Sequence, residues 1–301
     1  MYQTIANKLA RGSTIILDGG TGTDIQRRGV PMAGETWCAE ANLTHPDAVR
    51  SVHADYIAAG ADIITANTFA SSPLRFNALG RDADVEIIDR AAVRIAKSAG
   101  DAVVAGSFST MRPVITGSDR TDLSINWTEA QAMELFRRKA DVLADAGCDL
   151  IMMEMMRDLD YSLWASEAAA ATGLPVWMGI AVERREDGAL AGFGRPDWRL
   201  EDIVSALMAT GASVCSIMHT SPNDMEDALK VVSKLWSGPL GAYPESGYFK
   251  MPDWQFEDII PPAELVALAR SWRQLGVTIL GGCCGIGPDH IKALADAFGE
   301  K

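Results

Sequence analysis

Val277-Thr278-Ile279-Leu280-Gly281-Gly282-Cys283-Cys284-Gly285 reads as a short buried strand ending in two adjacent thiols framed by glycine. Pro288-Asp289-His290-Ile291-Lys292-Ala293-Leu294 opens a helix soon afterwards. Successive side chains of a strand point to opposite faces. Both sulfurs converge on one point only if the backbone leaves the strand there, a path that glycine permits. Two converging thiolates suit a soft metal ion. Two small buried hydrophobes, or a disulfide between neighbours, are the other readings of such a pair.

Outward from this stretch, helix, glycine and strand alternate along the whole chain. Strand Thr14–Leu17 runs into Asp18-Gly19-Gly20-Thr21-Gly22. Thr44-His45-Pro46-Asp47 predicts a helix start with Thr44 as N-cap and Pro46 in the first turn, and Gly60 ends that helix. Strand 61–66 carries Asn67-Thr68-Phe69 at its end. Helix 85–98 leads to strand 102–107, helix 128–146 to strand 148–153 ending on Glu154, and helix 161–171 to strand 175–181. Helix 200–209 then precedes strand 212–218, which ends on His219. Helix 223–235 precedes 239–243, helix 263–275 precedes the cysteine strand, and helix 289–298 follows it. Eight such units in about 300 residues predict an α/β fold, a single (β/α)8 TIM barrel in one domain over 1–301. A doubly wound open sheet is the rival. Two insertions, one from about Asp82 through the Met111–Thr128 stretch and one over Tyr243–Pro262, are expected around the barrel mouth or its rim.

Hydrophobic residues make up 48% and charged residues 22%, a balance that excludes disorder. No signal-peptide core and no membrane-length apolar run is present, and five cysteines without a framework spacing suit a reducing cytoplasm. The formal charge of −13, with no basic stripe, argues against a nucleic-acid partner and mildly favours a cationic small substrate. The glycine turn after Asp18 has neither a Walker lysine nor the dinucleotide spacing, which disfavours a phosphate loop.

Strand C-terminal ends form the active-site mouth of such barrels. The residues expected there are Asp18, Asn67, Ser107, Glu154, His219, Cys283 and Cys284. With Leu17-Asp18-Gly19-Gly20, Trp37, His45-Pro46, Gly60-Ala61-Asp62, Thr65–Phe69, Asp149–Glu154, Thr220-Ser221-Pro222, Tyr243-Pro244 with Gly247, and Gly281–Gly285, the chain resembles the homocysteine S-methyltransferase family over nearly its whole length. That family of zinc-dependent barrels includes betaine- and S-methylmethionine-dependent enzymes and the homocysteine half of cobalamin-dependent methionine synthase. The resemblance implies a zinc ion bound by residue 219 with Cys283 and Cys284, and methyl transfer from an onium donor (S-methylmethionine, S-adenosylmethionine or a betaine-type compound) to the thiol of homocysteine, giving methionine. His219 stands where the family has a cysteine, and Cys215, four residues earlier, is expected in the core. Two thiolates and a neutral imidazole leave a neutral centre with one open position. Asp18 and Glu154 are expected to hold the substrate ammonium, with Gly19, Gly20 and Asn67 beside them, and Trp37 to face a cationic donor. Capping roles for the two acids, lid packing for Trp37 and a hydrogen-bonded rim histidine are the plainer readings. A different thiol or selenol acceptor, or a metal-free binding relative, are the functional alternatives. The betaine-using relatives carry extra C-terminal sequence, so the length of this chain suits the shorter, S-methylmethionine-type relatives better.

Overall fold

The structure is a computed structural model. It describes residues 1–300 apart from 33, 116, 117, 119 and 251–254, and only the backbone of 249, 250 and 255. Eight parallel strands form the barrel: β1 Ile15–Ile16, β2 Ile63–Ala66, β3 Val103–Ser109, β4 Leu150–Met156, β5 Val176–Arg184, β6 Val214–Met218, β7 Leu240–Tyr243 and β8 Val277–Leu280. Consecutive strands pair in order, and β8 pairs with β1. The remaining seam closes through a parallel bridge between Leu17 and Ile63, with Asp62 N donating to Ile16 O at 2.8 Å. The helices that follow the strands are α1 Pro46–Ala58, α2 Asp82–Ser98, α3 Glu129–Asp145, α4 Tyr161–Ala170, α5 Leu200–Met208, α6 Pro222–Leu235, α7 Pro262–Gln274 and α8 Pro288–Phe298.

The strand sequences are apolar on both faces because both faces are covered. Ile15, Ile63, Val103, Leu150, Met152, Trp177, Val214 and Ile279 fill the lumen. Their neighbours Ile16, Ile64, Val104, Ile151, Met178, Cys215 and Leu280 belong to the larger core shared with the helices. This period-two split carries the inward series of β4 from Leu150 through Met152 to Glu154. It also puts Cys215 in the outer layer, fully buried, where desolvation pushes its thiol up to about 12.

Several details differ from the sequence expectation. A helix over Tyr2–Ala10, with Tyr2, Ile5 and Leu9 on one side, packs against the lumen core, and Trp177 Nε1 donates to Tyr2 Oη at 3.1 Å. The N-cap of α1 is His45, without a side-chain bond. Thr44 instead ends a short helix, Ala41–Thr44, its hydroxyl donating to Glu40 O. The stretch from Asp82 is a barrel helix, not an insertion. β5 runs past Ala181 because an antiparallel hairpin, Leu190–Gly192 and Arg195–Arg199, extends its end. Tyr248–Lys250 and Gln255–Glu257 form a second, separate hairpin.

One buried ion pair locks the layer behind β2 and β3. Lys139 Nζ lies 2.8 Å from Asp89 Oδ2, both side chains fully buried, and also donates to Thr68 O at 3.0 Å and Ser71 O at 3.1 Å. These bonds tie α2 and α3 to the segment that leaves β2. Removing one member of such a pair strands a buried charge, which costs about 3–5 kcal/mol. Lys139→Met is therefore expected to lower the unfolding free energy by that amount in urea titrations. Adding Asp89→Asn to it should recover part of the loss.

Candidate metal and substrate site

The mouth is organised by two loops that lie against each other. The chain after β1 passes so close to the chain after β8 that a Cβ on Gly20 would sit 2.7 Å from Cys283 O, and one on Gly19 2.3 Å from Ile286 O. Gly282 N donates to Asp18 O at 3.0 Å and Gly20 N to Ile286 O at 2.9 Å. Gly285 has φ +82°, and a Cβ there would meet Ser246 O at 2.0 Å, so the turn that brings the sulfurs round requires glycine. Gly19 and Gly20 thus serve first as the bed on which the cysteine loop rests.

Cys283 Sγ and Cys284 Sγ are 4.0 Å apart, and Cys283 Sγ is 3.6 Å from His219 Nδ1. One ligand atom from each of the three residues falls within 4.8 Å of the others. Tetrahedral bonding at about 2.3 Å to sulfur and about 2.0–2.1 Å to nitrogen calls for S···S near about 3.8 Å and S···N near about 3.5 Å. The donor set therefore fits zinc in both chemistry and spacing. His219 follows the last residue of β6 in a left-handed conformation, φ 43°, a costly state for a residue with a side chain. Glu245 Oε2 lies 3.2 Å from its Nδ1, and the Phe193 ring meets the imidazole edge-on at 5.1 Å. The hydrogen bond it gives to Cys284, with burial adding to it, holds the Cys283 thiol well above its ordinary range, and that same bond holds Cys284 well below.

The carboxyl groups of Asp18 and Glu154 share with Glu245 a cavity whose volume is about 400 Å³. Asp18 accepts from Thr65 N at 2.6 Å and Thr65 Oγ1 at 2.9 Å, and burial raises its carboxyl to about 7 against those bonds. Glu154 is also raised to about 7 by burial, with the Asp18 charge adding to it and a hydrogen bond from Ser107 Oγ opposing it. A bulge opens just after Glu154, which itself stays in register with Ser109 of β3. Met153 pairs with Met178 but Met156 with Ile180, so β4 carries one extra residue there, and Met155 adopts φ 60°. Such a bulge re-aims side chains at a strand end. Gly179 on β5 leaves room for it, since a Cβ would lie 2.7 Å from Met153 O and 2.1 Å from Tyr243 Oη.

All of the sequence-derived site residues line this one cavity: Asp18, Gly19, Gly20, Trp37, Asn67, Glu154, His219, Cys283 and Cys284. They do not all present free polar atoms to it. Asn67 donates to Cys38 O at 3.0 Å and to Asn42 Oδ1 at 3.1 Å and accepts from Cys38 Sγ, so its amide pins the loop carrying Trp37. Trp37, at φ 47°, meets Phe69 edge-on at 6.4 Å. Sequence reasoning gave Tyr243 only as part of the family resemblance, with no role in the site, and passed over Phe193 and Arg157. The first stands at a strand end and was legible by position. The others belong to the bulge and the hairpin, which no periodicity marked. Met111, Thr121, Gly247 and Phe256, from the two expected insertions, also line the cavity; residues 116, 117, 119 and 251–254 of those insertions lie outside the described residues.

Comparison with known proteins agrees with this picture. Betaine--homocysteine S-methyltransferase 1 of Mus musculus is 26% identical over 322 residues, covering 99% of this chain and 75% of that protein. S-methylmethionine--homocysteine S-methyltransferase BHMT2 of Pongo abelii is 26% identical, covering 99% and 82%. The metallated form of the homocysteine methyltransferase MmuM from Escherichia coli shares the fold, with a TM-score of 0.73 at 24% identity over 98% of this chain and 99% of that one. The family model described as homocysteine S-methyltransferase matches residues 15–298, so the chain is an enzyme of the homocysteine S-methyltransferase family.

Proposed function

We propose that the protein transfers a methyl group from an onium donor to the thiol of homocysteine, giving methionine, at a zinc ion held by His219, Cys283 and Cys284. The observation that carries this reading is the shared cavity. A zinc-compatible trio shares the cavity with the carboxyl groups of Asp18 and Glu154, as an amino-acid thiol requires at its two ends. Bound zinc supplies an open ligand position and holds a thiol there as thiolate at neutral pH. Asp18 and Glu154 receive the ammonium group of homocysteine and so fix the distance of its sulfur from the trio. Ser107 and Thr65 keep the two carboxylates in place. The carbon–sulfur bond then forms as the donor's methyl–onium bond breaks. The donor leaves with that electron pair as a neutral thioether or amine, and positioning supplies much of the rate. The rings of Trp37, Phe69 and Phe193 line the cavity and attract a cationic donor by their faces. The relatives named above use different donors, and S-adenosylmethionine belongs to the same onium class. The neutral His-Cys-Cys centre also favours a second reading, an acceptor other than homocysteine, because it lowers the nucleophilicity of a bound thiolate.

Metal content tests the centre. Protein purified without chelators should hold about one zinc per chain by elemental analysis, in keeping with a tetrahedral site of three protein ligands. His219→Ala and Cys283→Ala should lose zinc and transfer, whereas Cys215→Ala should change neither. Methylation of another thiol or a selenol, with none of homocysteine from any donor, would replace the acceptor assigned here.

The raised carboxyls give a pH test. Below about 7 Asp18 and Glu154 take up protons in the free protein, and a protonated acid cannot pair with an ammonium. Homocysteine affinity is expected to fall as pH drops from 8 to 6, by up to about tenfold per unit for each carboxyl that must ionise. Glu154→Gln should flatten the profile in calorimetric titrations. The same shift sets a stability trend. The folded chain holds more protons than the unfolded chain between the ordinary carboxyl range and about 7, so these groups lower stability as pH rises through that window. Glu154→Gln should accordingly raise the melting temperature at pH 8 and leave it unchanged at pH 4.

A further inference from the structure

Three residues beyond Glu154, past the bulge, stands Arg157. Its side chain is only 7% exposed and it lines the cavity. Nη2 donates to Thr121 Oγ1, and Nη1 reaches Phe193 O at 3.5 Å. Its Nε is buried without a hydrogen-bond partner among the described residues. No carboxylate lies within ion-pair distance of it among those residues, although nearly every neighbouring arginine has one. Arg195 pairs with Asp158 at 2.9 Å and Asp197 at 3.2 Å, and Arg120 with Glu183 at 2.7 Å. Arg112 is also buried with an unpartnered Nε, its charge resting on the Tyr161 ring at 4.3 Å. Burial pulls the Arg157 guanidinium down to about 10, with Arg112, Arg195 and Arg120 adding to the effect against Asp158. A buried cation whose nearest acid, Asp158, is already engaged by Arg195 is costly, and an anionic ligand in direct contact lowers that cost.

Position decides which ligand. The acceptor's polar groups, Asp18, Ser107 and Glu154, sit at strand ends. Arg157, Thr121 and Phe193 belong instead to the segments that follow β4, β3 and β5, beyond the strand ends, and line the same cavity in contact with one another. Phe193 joins the two regions, its ring 5.1 Å from the His219 ring and 4.6 Å from the Arg120 guanidinium, its carbonyl facing Arg157. A donor seated there has its onium head against the aromatic ring, toward the metal trio, and its other end against the guanidinium. We infer that Arg157, with Thr121, forms a carboxylate subsite for the methyl donor, so that the enzyme selects zwitterionic onium acids over uncharged-tail onium compounds. This assignment rests on the reading of the chain as an onium-to-homocysteine methyltransferase.

A matched pair of donors tests it: dimethylsulfonioacetate and its carboxamide, which share the reacting methyl and differ only in tail charge. A charge-assisted hydrogen bond contributes about 1.5–3 kcal/mol, so the wild-type zinc enzyme is expected to show a KM about 10- to 150-fold lower for the acid. In Arg157→Met that preference should collapse to within about threefold, with the KM for homocysteine and the zinc content held. Arg157→Lys keeps the charge without the fork and should fall between. It serves as the test if Arg157→Met fails to fold by circular dichroism. Calorimetric titration of both compounds, without turnover, should show the same acid preference and the same loss. An acid preference that survives in the variants, or is missing from the wild type, overturns the subsite. A change in homocysteine KM alone would move Arg157 to the acceptor. If no homocysteine is methylated yet the calorimetric preference depends on Arg157, the subsite stands and the transferase reading fails.

Discussion

The contact of two glycine-rich loops at the seam between β1 and β8 is the constraint on which the rest of the site depends. Gly19 and Gly20 have no side chains because Cys283 O and Ile286 O occupy the space. The hydrogen bonds from Gly282 to Asp18 and from Gly20 to Ile286 then fix the height of the cysteine turn over the barrel. Barrel closure delivers the third ligand from a different strand, and Asp18, whose carbonyl takes part in the contact, turns its carboxylate to Thr65 on β2. The trio of His219, Cys283 and Cys284, which could hold a metal, and the first carboxyl are therefore parts of one rigid unit. This is the kind of preorganisation by fixed backbone that an active site needs.

Charge is distributed across the cavity with equal economy. Asp18, Glu154 and Glu245 lie on the side of the trio, and Arg157 lies on the side of the hairpin and the segment after β3. Neither set neutralises the other inside the free protein. Two amphoteric ligands laid end to end, each with its charges in the right order, would complete both sets at once.

The barrel was legible in the chain because each strand is a short apolar run closed off by glycine or a polar end, and most of the helices show an apolar stripe, the small-residue helix Tyr161–Ala170 being the exception. The metal trio was legible for a similar reason: Cys283, Cys284 and His219 each stand one to four residues beyond a strand, so topology alone collects them. What the chain concealed lies where periodicity stops. The end of β5 carries Glu183 and Arg184 and reads as a loop, yet it pairs with Leu190–Gly192. The helix Tyr2–Ala10 has too few apolar residues to stand out until the lumen core receives Ile5. Asn67 looks like a substrate ligand by position, but its amide is consumed by Cys38 and Asn42. A strand-end residue is placed by the fold; its hydrogen bonds are set by whichever loop folds over it.

The bulge in β4 has a consequence for how such a chain can change. Glu154 and Arg157 are separated by Met155, in a left-handed conformation, and Met156, back in register with Ile180. Substitutions at either charged position alter one contact at a time. Deleting or inserting a single residue between them would take Met156, the last residue of β4, out of its register with Ile180 and change the direction in which Arg157 leaves the strand. The segment can therefore drift in composition far more freely than in length. A lineage with one residue more or fewer here would set these two charged side chains differently in the cavity.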